Sequence, residues 1–86
     1  MDLKLFKDNI VVNVYHIDSN KKVPLHKHPK HDEIFYCIKG EGFGILEDSK
    51  VGLAVGKVFI VRAGLLHSME SDSNIYVSSF LIPVAD

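Results

Sequence analysis

Three of the chain's five histidines, His26, His28 and His31, fall within six residues, and Glu33 follows two positions later. Imidazoles and a carboxylate at this density point to a divalent transition metal, for which both groups are common ligands. Spacing decides which of them can share an ion. On a helix, residues two apart diverge by about 200°, so His26 and His28 would part. On a strand they share a face, roughly 6.6 Å apart along the chain. Two rings at that spacing can converge on one ion about 2.1 Å from each nitrogen. Pro29 favours the strand, because the residue before a proline is pushed to extended geometry. If residues 29–32 close a hairpin, Glu33 stands opposite His28 and Phe35 opposite His26. That puts His26, His28 and Glu33 on one surface, with Phe35 and Cys37 continuing it. Two histidines and a carboxylate with open positions are the facial arrangement of non-haem iron sites. A fourth ligand has to come from a distance, from His16 or His67. His67 follows an Arg-Ala-Gly turn at the start of an expected strand, where loops deliver functional groups.

Such a site needs a rigid β framework, and the rest of the chain reads as one. Residues 10–17 (IVVNVYHI) are β-branched and aromatic. Residues 22–28 form an extended piece with Pro24 inside it, hence an edge or irregular strand. Further strands are expected over 33–39, 43–47, 51–55, 58–61, 65–70 and 75–83. Clusters of Gly, Pro, Asn, Asp and Ser separate them. About eight short strands with turn signals roughly every ten residues argue for an all-β sandwich or barrel. MDLKLFK at the start has the makings of a helical turn.

His26-X-His28, four residues, Glu33, six residues and Gly40 is also the spacing of the first cupin motif. Gly56, then Gly64, two residues and His67 is the spacing of the second. The chain therefore resembles the cupin superfamily, in its small conserved-barrel form, with motif one over about 20–40 and motif two over about 56–71. The resemblance implies one small jelly-roll barrel over 1–86. It also implies a divalent metal (iron, manganese, zinc, nickel or copper) held by His26, His28, Glu33 and His67. Three framing positions depart from the pattern. Asn20 stands for the usual opening glycine, Arg62 for a proline and Ser71 for a closing asparagine. None of them is a ligand position.

Strand parity assigns the remaining residues. Phe35, Cys37, Phe43, Met69 and Phe80 are expected to line the cavity or the core beneath it. In so small a barrel the two are nearly the same residues. Buried Cys37 reads as a small hydrophobe. His31 fits no ligand slot and reads as a solvated turn residue, and His16 as structural or exposed. Arg62 reads as a surface residue or as a fork for an anionic substrate. Ile34, Tyr36 and Ile38 on the other face, with apolar residues of both parities on the first strand (Ile10, Val11, Val12, Val14), would leave much apolar surface in water. A homodimer through such sheets is expected.

Composition narrows the partners. Hydrophobic residues make up 47%, charged residues 24%, and net charge is −1. Nothing draws the chain to nucleic acid or anionic lipid. One cysteine, no apolar leader and no apolar run near 20 residues fit a cytoplasmic protein. A small-molecule ligand or substrate remains the expected partner. Three neutral imidazoles and one carboxylate around a divalent ion suit a dioxygenase-like enzyme or an isomerase. A metal- or ligand-binding sensor module without turnover is the alternative.

Overall fold

β-Branched and aromatic residues broken by turn clusters yield six antiparallel strands in the computed structural model, which describes residues 7–84. They are β1 (Val11–Asp18), β2 (His31–Leu46), β3 (Lys50–Ala54), β4 (Val58–Val61), β5 (His67–Glu70) and β6 (Asn74–Pro83). The architecture is the all-β jelly roll that the motifs imply. The helical turn proposed for MDLKLFK lies, but for Lys7, outside the described residues.

The strand count falls from about eight to six for two reasons. First, the expected strands over 33–39 and 43–47 are one continuous strand of 16 residues, β2. Gly40-Glu41-Gly42 bends it without ending it. A bulge between Cys37 and Lys39 shifts the register. Gly40, with φ of 79°, then passes so close to Asn74 that a Cβ would strike its carbonyl oxygen. Second, residues 22–28 form no ladder; their one β-bridge to the barrel is His26 to His67.

β2 is the spine of the molecule. Its first half, Glu33 to Tyr36, lies between β4 and β6. Its second half, Phe43 to Ile45, lies between β3 and β5. β6 also pairs with β1, so the first and last strands are neighbours. The inner faces enclose one core of Ile17, Phe35, Cys37, Leu53, Phe59, Val61, Met69, Ile75 and Val77. The bulge has a further effect. Inward positions on β2 are odd-numbered before it (Glu33, Phe35, Cys37) and even-numbered after it (Gly42, Gly44). No described helix is long and apolar enough to cross a membrane.

Candidate metal centre

Glu33, His26, His28 and His67 come together at one end of the barrel, but not through the expected hairpin. At Glu33 both edges of β2 are already taken, by Val61 of β4 and Leu81 of β6. No edge is left there for residues 22–28. That segment docks on β5 instead. His26 and His67 exchange backbone hydrogen bonds of 3.0 and 2.8 Å, Gly64 N–H donates to the His28 carbonyl at 3.0 Å, and Ser68 Oγ donates to the Val23 carbonyl at 2.6 Å. Gly64, with φ of 83°, makes the turn that starts β5.

One donor atom from each of the four side chains lies within 4.8 Å of the other three. His67 Nε2 is 2.9 Å from Glu33 Oε1, and His28 Nε2 is 3.3 Å from the same oxygen. Donors about 2.1 Å from one ion are about 3.0 Å apart when cis and about 4.2 Å apart when trans. The cluster therefore has the dimensions of a ligand set and could bind a metal. Ring orientation agrees. Nδ1 of His26 faces the Pro24 carbonyl at 3.0 Å, and Nδ1 of His67 faces that of Leu65 at 2.9 Å. A carbonyl only accepts, so each Nδ1 carries the hydrogen. Nε2 is then the atom left to ligate.

Glu33 and His67 are buried, whereas His26 and His28 are partly open. Burial alone would raise the Glu33 carboxyl. Hydrogen bonds from His67 and Ser79, with the charges of His28 and His67, outweigh it and hold the group below the usual carboxylate range. Burial would likewise lower His67. Its hydrogen bonds to Glu33 and the Leu65 carbonyl, with the Glu33 charge, raise it instead. Without metal the two form a charged pair. The Glu33 contribution to stability is present above about pH 4.3 and is lost as pH falls through its lowered value. The His67 contribution is full below about pH 6.5 and is lost as pH rises through its raised value. Metal-free protein is thus expected to melt highest between about pH 4.5 and 6.5. A melting temperature still climbing at pH 8 would contradict this. Metal must displace the Nε2 proton, so affinity should gain up to about tenfold per pH unit below the His67 pKa.

Ser79 was not legible as a site residue. It is fully buried on β6, opposite Phe35, and its hydroxyl donates to Glu33 Oε2. The available signal was parity, since Ser79 continues the inward series Ile75, Val77. Replacing Ser79 by alanine leaves Oε2 without its donor. The expected cost is about 1–3 kcal/mol of stability and about tenfold in metal affinity, readable by urea melts and zinc titration. Asp32, expected in a turn, is in β2; it accepts from Ala63 N–H at 2.8 Å and lies 3.4 Å from exposed Arg62. It so ties down the turn leading to His67.

A cavity of about 260 Å³ opens beside the four residues. Phe35 and Met69 line it, as do Ile17, Val23, Ser68, Tyr15 and Lys21. Cys37, Phe43 and Phe80 are not on its wall. Cys37 is fully buried in the core, its thiol pushed up by burial and directed to the Lys39 and Gly40 carbonyls. Phe43 lies beyond the bulge on the outer parity, with Lys50 4.7 Å from its ring centre. Phe80 is also on the outer parity, paired with Val12 and Ile34. His31 begins β2 opposite Pro83, outside the cluster. His16 stacks on Tyr76 and bonds Asn74 at 2.7 Å.

A family model described as the Cupin domain matches residues 13–82. No curated protein matches the chain. Solved structures do. A cupin protein from Bacteroides fragilis is 22% identical with a TM-score of 0.79, over 90% of this chain and 68% of that one. A predicted oxalate decarboxylase from Thermotoga maritima is 22% identical with a TM-score of 0.81, over 98% and 76%. The DMSP lyase DddQ from Ruegeria pomeroyi is 20% identical with a TM-score of 0.80, over 92% and 41%. At these identities the likeness shows a common fold. With both motifs in register, the barrel observed and the family model matching most of its length, the chain belongs to the cupin domain family.

Proposed function

We propose that residues 1–86 form one cupin domain working as a metal-dependent enzyme, oxygenase in type, on a small organic molecule. One observation carries the reading. The four donor side chains all line a cavity, two of them (His26 and His28) partly open to it and two (Glu33 and His67) buried at its base. Structural metal sites are closed, whereas catalytic ones keep a position free. In this reading His26, His28, Glu33 and His67 are the ligands. A redox-active divalent ion there would supply Lewis acidity and activation of dioxygen. The chain's own part is positioning. Ser79 and His67 fix the carboxylate, the Pro24 and Leu65 carbonyls fix two rings, and Phe35 and Met69 give the substrate an apolar wall. Likeness to a predicted oxalate decarboxylase and to a DMSP lyase supports small-molecule chemistry in such a barrel. A reducing, cytoplasmic setting is in keeping with the lone buried thiol.

The test is oxygen consumption by protein loaded in turn with iron, manganese, nickel and copper, against a panel of small organic acids, thiols and phenols. Substrate-dependent uptake with at least one metal is the expected result. No uptake with any bound metal would sink the oxygenase reading, and no substrate turnover of any kind by mass spectrometry of the same mixtures would leave a non-catalytic metal- or ligand-binding module. That second reading has its own support: the one carboxylate on the cavity wall, Glu33, is itself among the four candidate ligands, so no other carboxylate there is left to act as a general base.

A homodimer is part of the same proposal. On the outer face of the barrel, Val12, Phe80, Ile34 and Ile60 are consecutive partners across four strands, and Val14, Ser78, Tyr36 and Val58 form the next row. Neither row carries a charge, so a second copy packed on this face would meet no charge repulsion within these rows. Light scattering on a sizing column is expected to give twice 9.6 kDa, and Ile60→Glu to give the monomer. A wild-type protein of 9.6 kDa alone would remove the dimer.

A further inference from the structure

The cavity wall carries three polar side chains that the ligand set does not use: Ser68, whose hydroxyl is taken by the Val23 carbonyl, and Tyr15 and Lys21. Tyr15 and Lys21 come from the first strand and the turn after it. Tyr15 shares the inward parity of buried Ile17, pairs with Val77 and is 40% exposed. Lys21 closes the turn, its N–H donating to the Asp18 carbonyl at 3.2 Å. The Asp18 carboxylate is taken by Asn20 N–H at 2.9 Å. Lys21 Nζ has a long contact, 3.4 Å, to the His16 carbonyl. Among the described residues no carboxylate is in ion-pair range of it.

Charge then selects the ligand. Glu33 is the only acidic residue on the wall, and Lys21 balances it. A divalent ion in the proposed site would bring the cavity to a net charge of about +2. Apart from Ser68, the remaining wall, from Ile17, Val23, Phe35 and Met69, is apolar and screens little. One ammonium and one phenol hydroxyl suit a singly charged carboxylate; a phosphate asks for more donors than they offer. The volume of about 260 Å³ equals that of about nine waters in the liquid, room for a molecule of about that many non-hydrogen atoms.

We infer that Lys21 and Tyr15 form an anion subsite at the cavity mouth, and that the substrate is a small monocarboxylic acid with an apolar body. The inference deepens the metal-enzyme reading, and Lys21 can be tested apart from it. The probes are isovalerate and isovaleramide, alike in shape and differing in charge. Each is titrated into ¹⁵N-labelled protein and followed by amide shifts, after zinc loading is measured by elemental analysis. Wild type is expected to prefer isovalerate by at least about tenfold. Lys21→Met should cut that preference at least about fivefold with zinc content unchanged, Tyr15→Phe should cut it less, and Lys21→Arg should keep it. An equal preference in wild type and Lys21→Met overturns the subsite, as does no preference in zinc-loaded wild type. If zinc does not load, the metal reading fails by itself. The titrations on metal-free protein then decide the subsite by the same ratio.

Discussion

Replacing His67 by alanine is expected to empty the metal centre. His67 is the one candidate ligand on β5; it is fully buried, and its Nε2 sits 2.9 Å from Glu33 Oε1. Its Nδ1 is held by the Leu65 carbonyl, so the ring is aimed before any ion arrives. Loss of an outer hydrogen-bond partner alone costs up to about 100-fold in metal affinity; loss of the ligand should cost more. Elemental analysis of protein purified without tag or chelator should fall from about one ion per chain to under a tenth. Equal content in wild type and His67→Ala would defeat the site as drawn. Circular dichroism separates this from unfolding, since the backbone exchange between His26 and His67 needs no side chain.

Stripping the metal should lower the melting temperature of the wild-type protein by about 15–30 °C. The four candidate ligand residues come from a loop, β2 and β5, and the loop segment 22–28 otherwise holds on by a few hydrogen bonds. An ion at a thousand times its dissociation constant adds about 4 kcal/mol. In a domain this small each kcal/mol moves the midpoint by about 4–8 °C. Calorimetry with and without chelator measures it, and coincident melts would mean that the barrel holds itself without an ion. Removing the ion also leaves Glu33 with His67 and Ser79 as partners, so collapse to an unfolded chain is not expected.

Much of this was legible from spacing. The interval from His26 to Gly40 and from Gly56 to His67 implied the family and the four residues that the fold brings together. The path by which they meet was not. Sequence proximity suggested that residues 22–28 pair with β2, but β2 has both edges occupied at Glu33 by strands distant in sequence. Phe43 shows a second limit. Counting by twos from Glu33 points it inward, and one extra residue at the bulge turns it out. Tyr15 and Lys21 were hidden for a different reason. In IVVNVYHI both parities are apolar, so pattern alone cannot say which side of β1, and hence Tyr15, faces the cavity, and Lys21 in the turn after it has no strand parity to read.

The place of β6 between β1 and β2 has a consequence for how the protein is made. As the chain leaves the ribosome, β1 has no ladder partner among the described strands until residues 74–83 appear. Glu33 emerges long before Ser79, the hydroxyl that will hold it, and His26 long before His67, the strand residue it docks on. Pairing of such distant segments is slow, and the waiting edges are sticky. The candidate metal centre is therefore expected to be assembled late, after translation of β6, and a nascent chain should bind no ion at this site while β6 is still inside the ribosome.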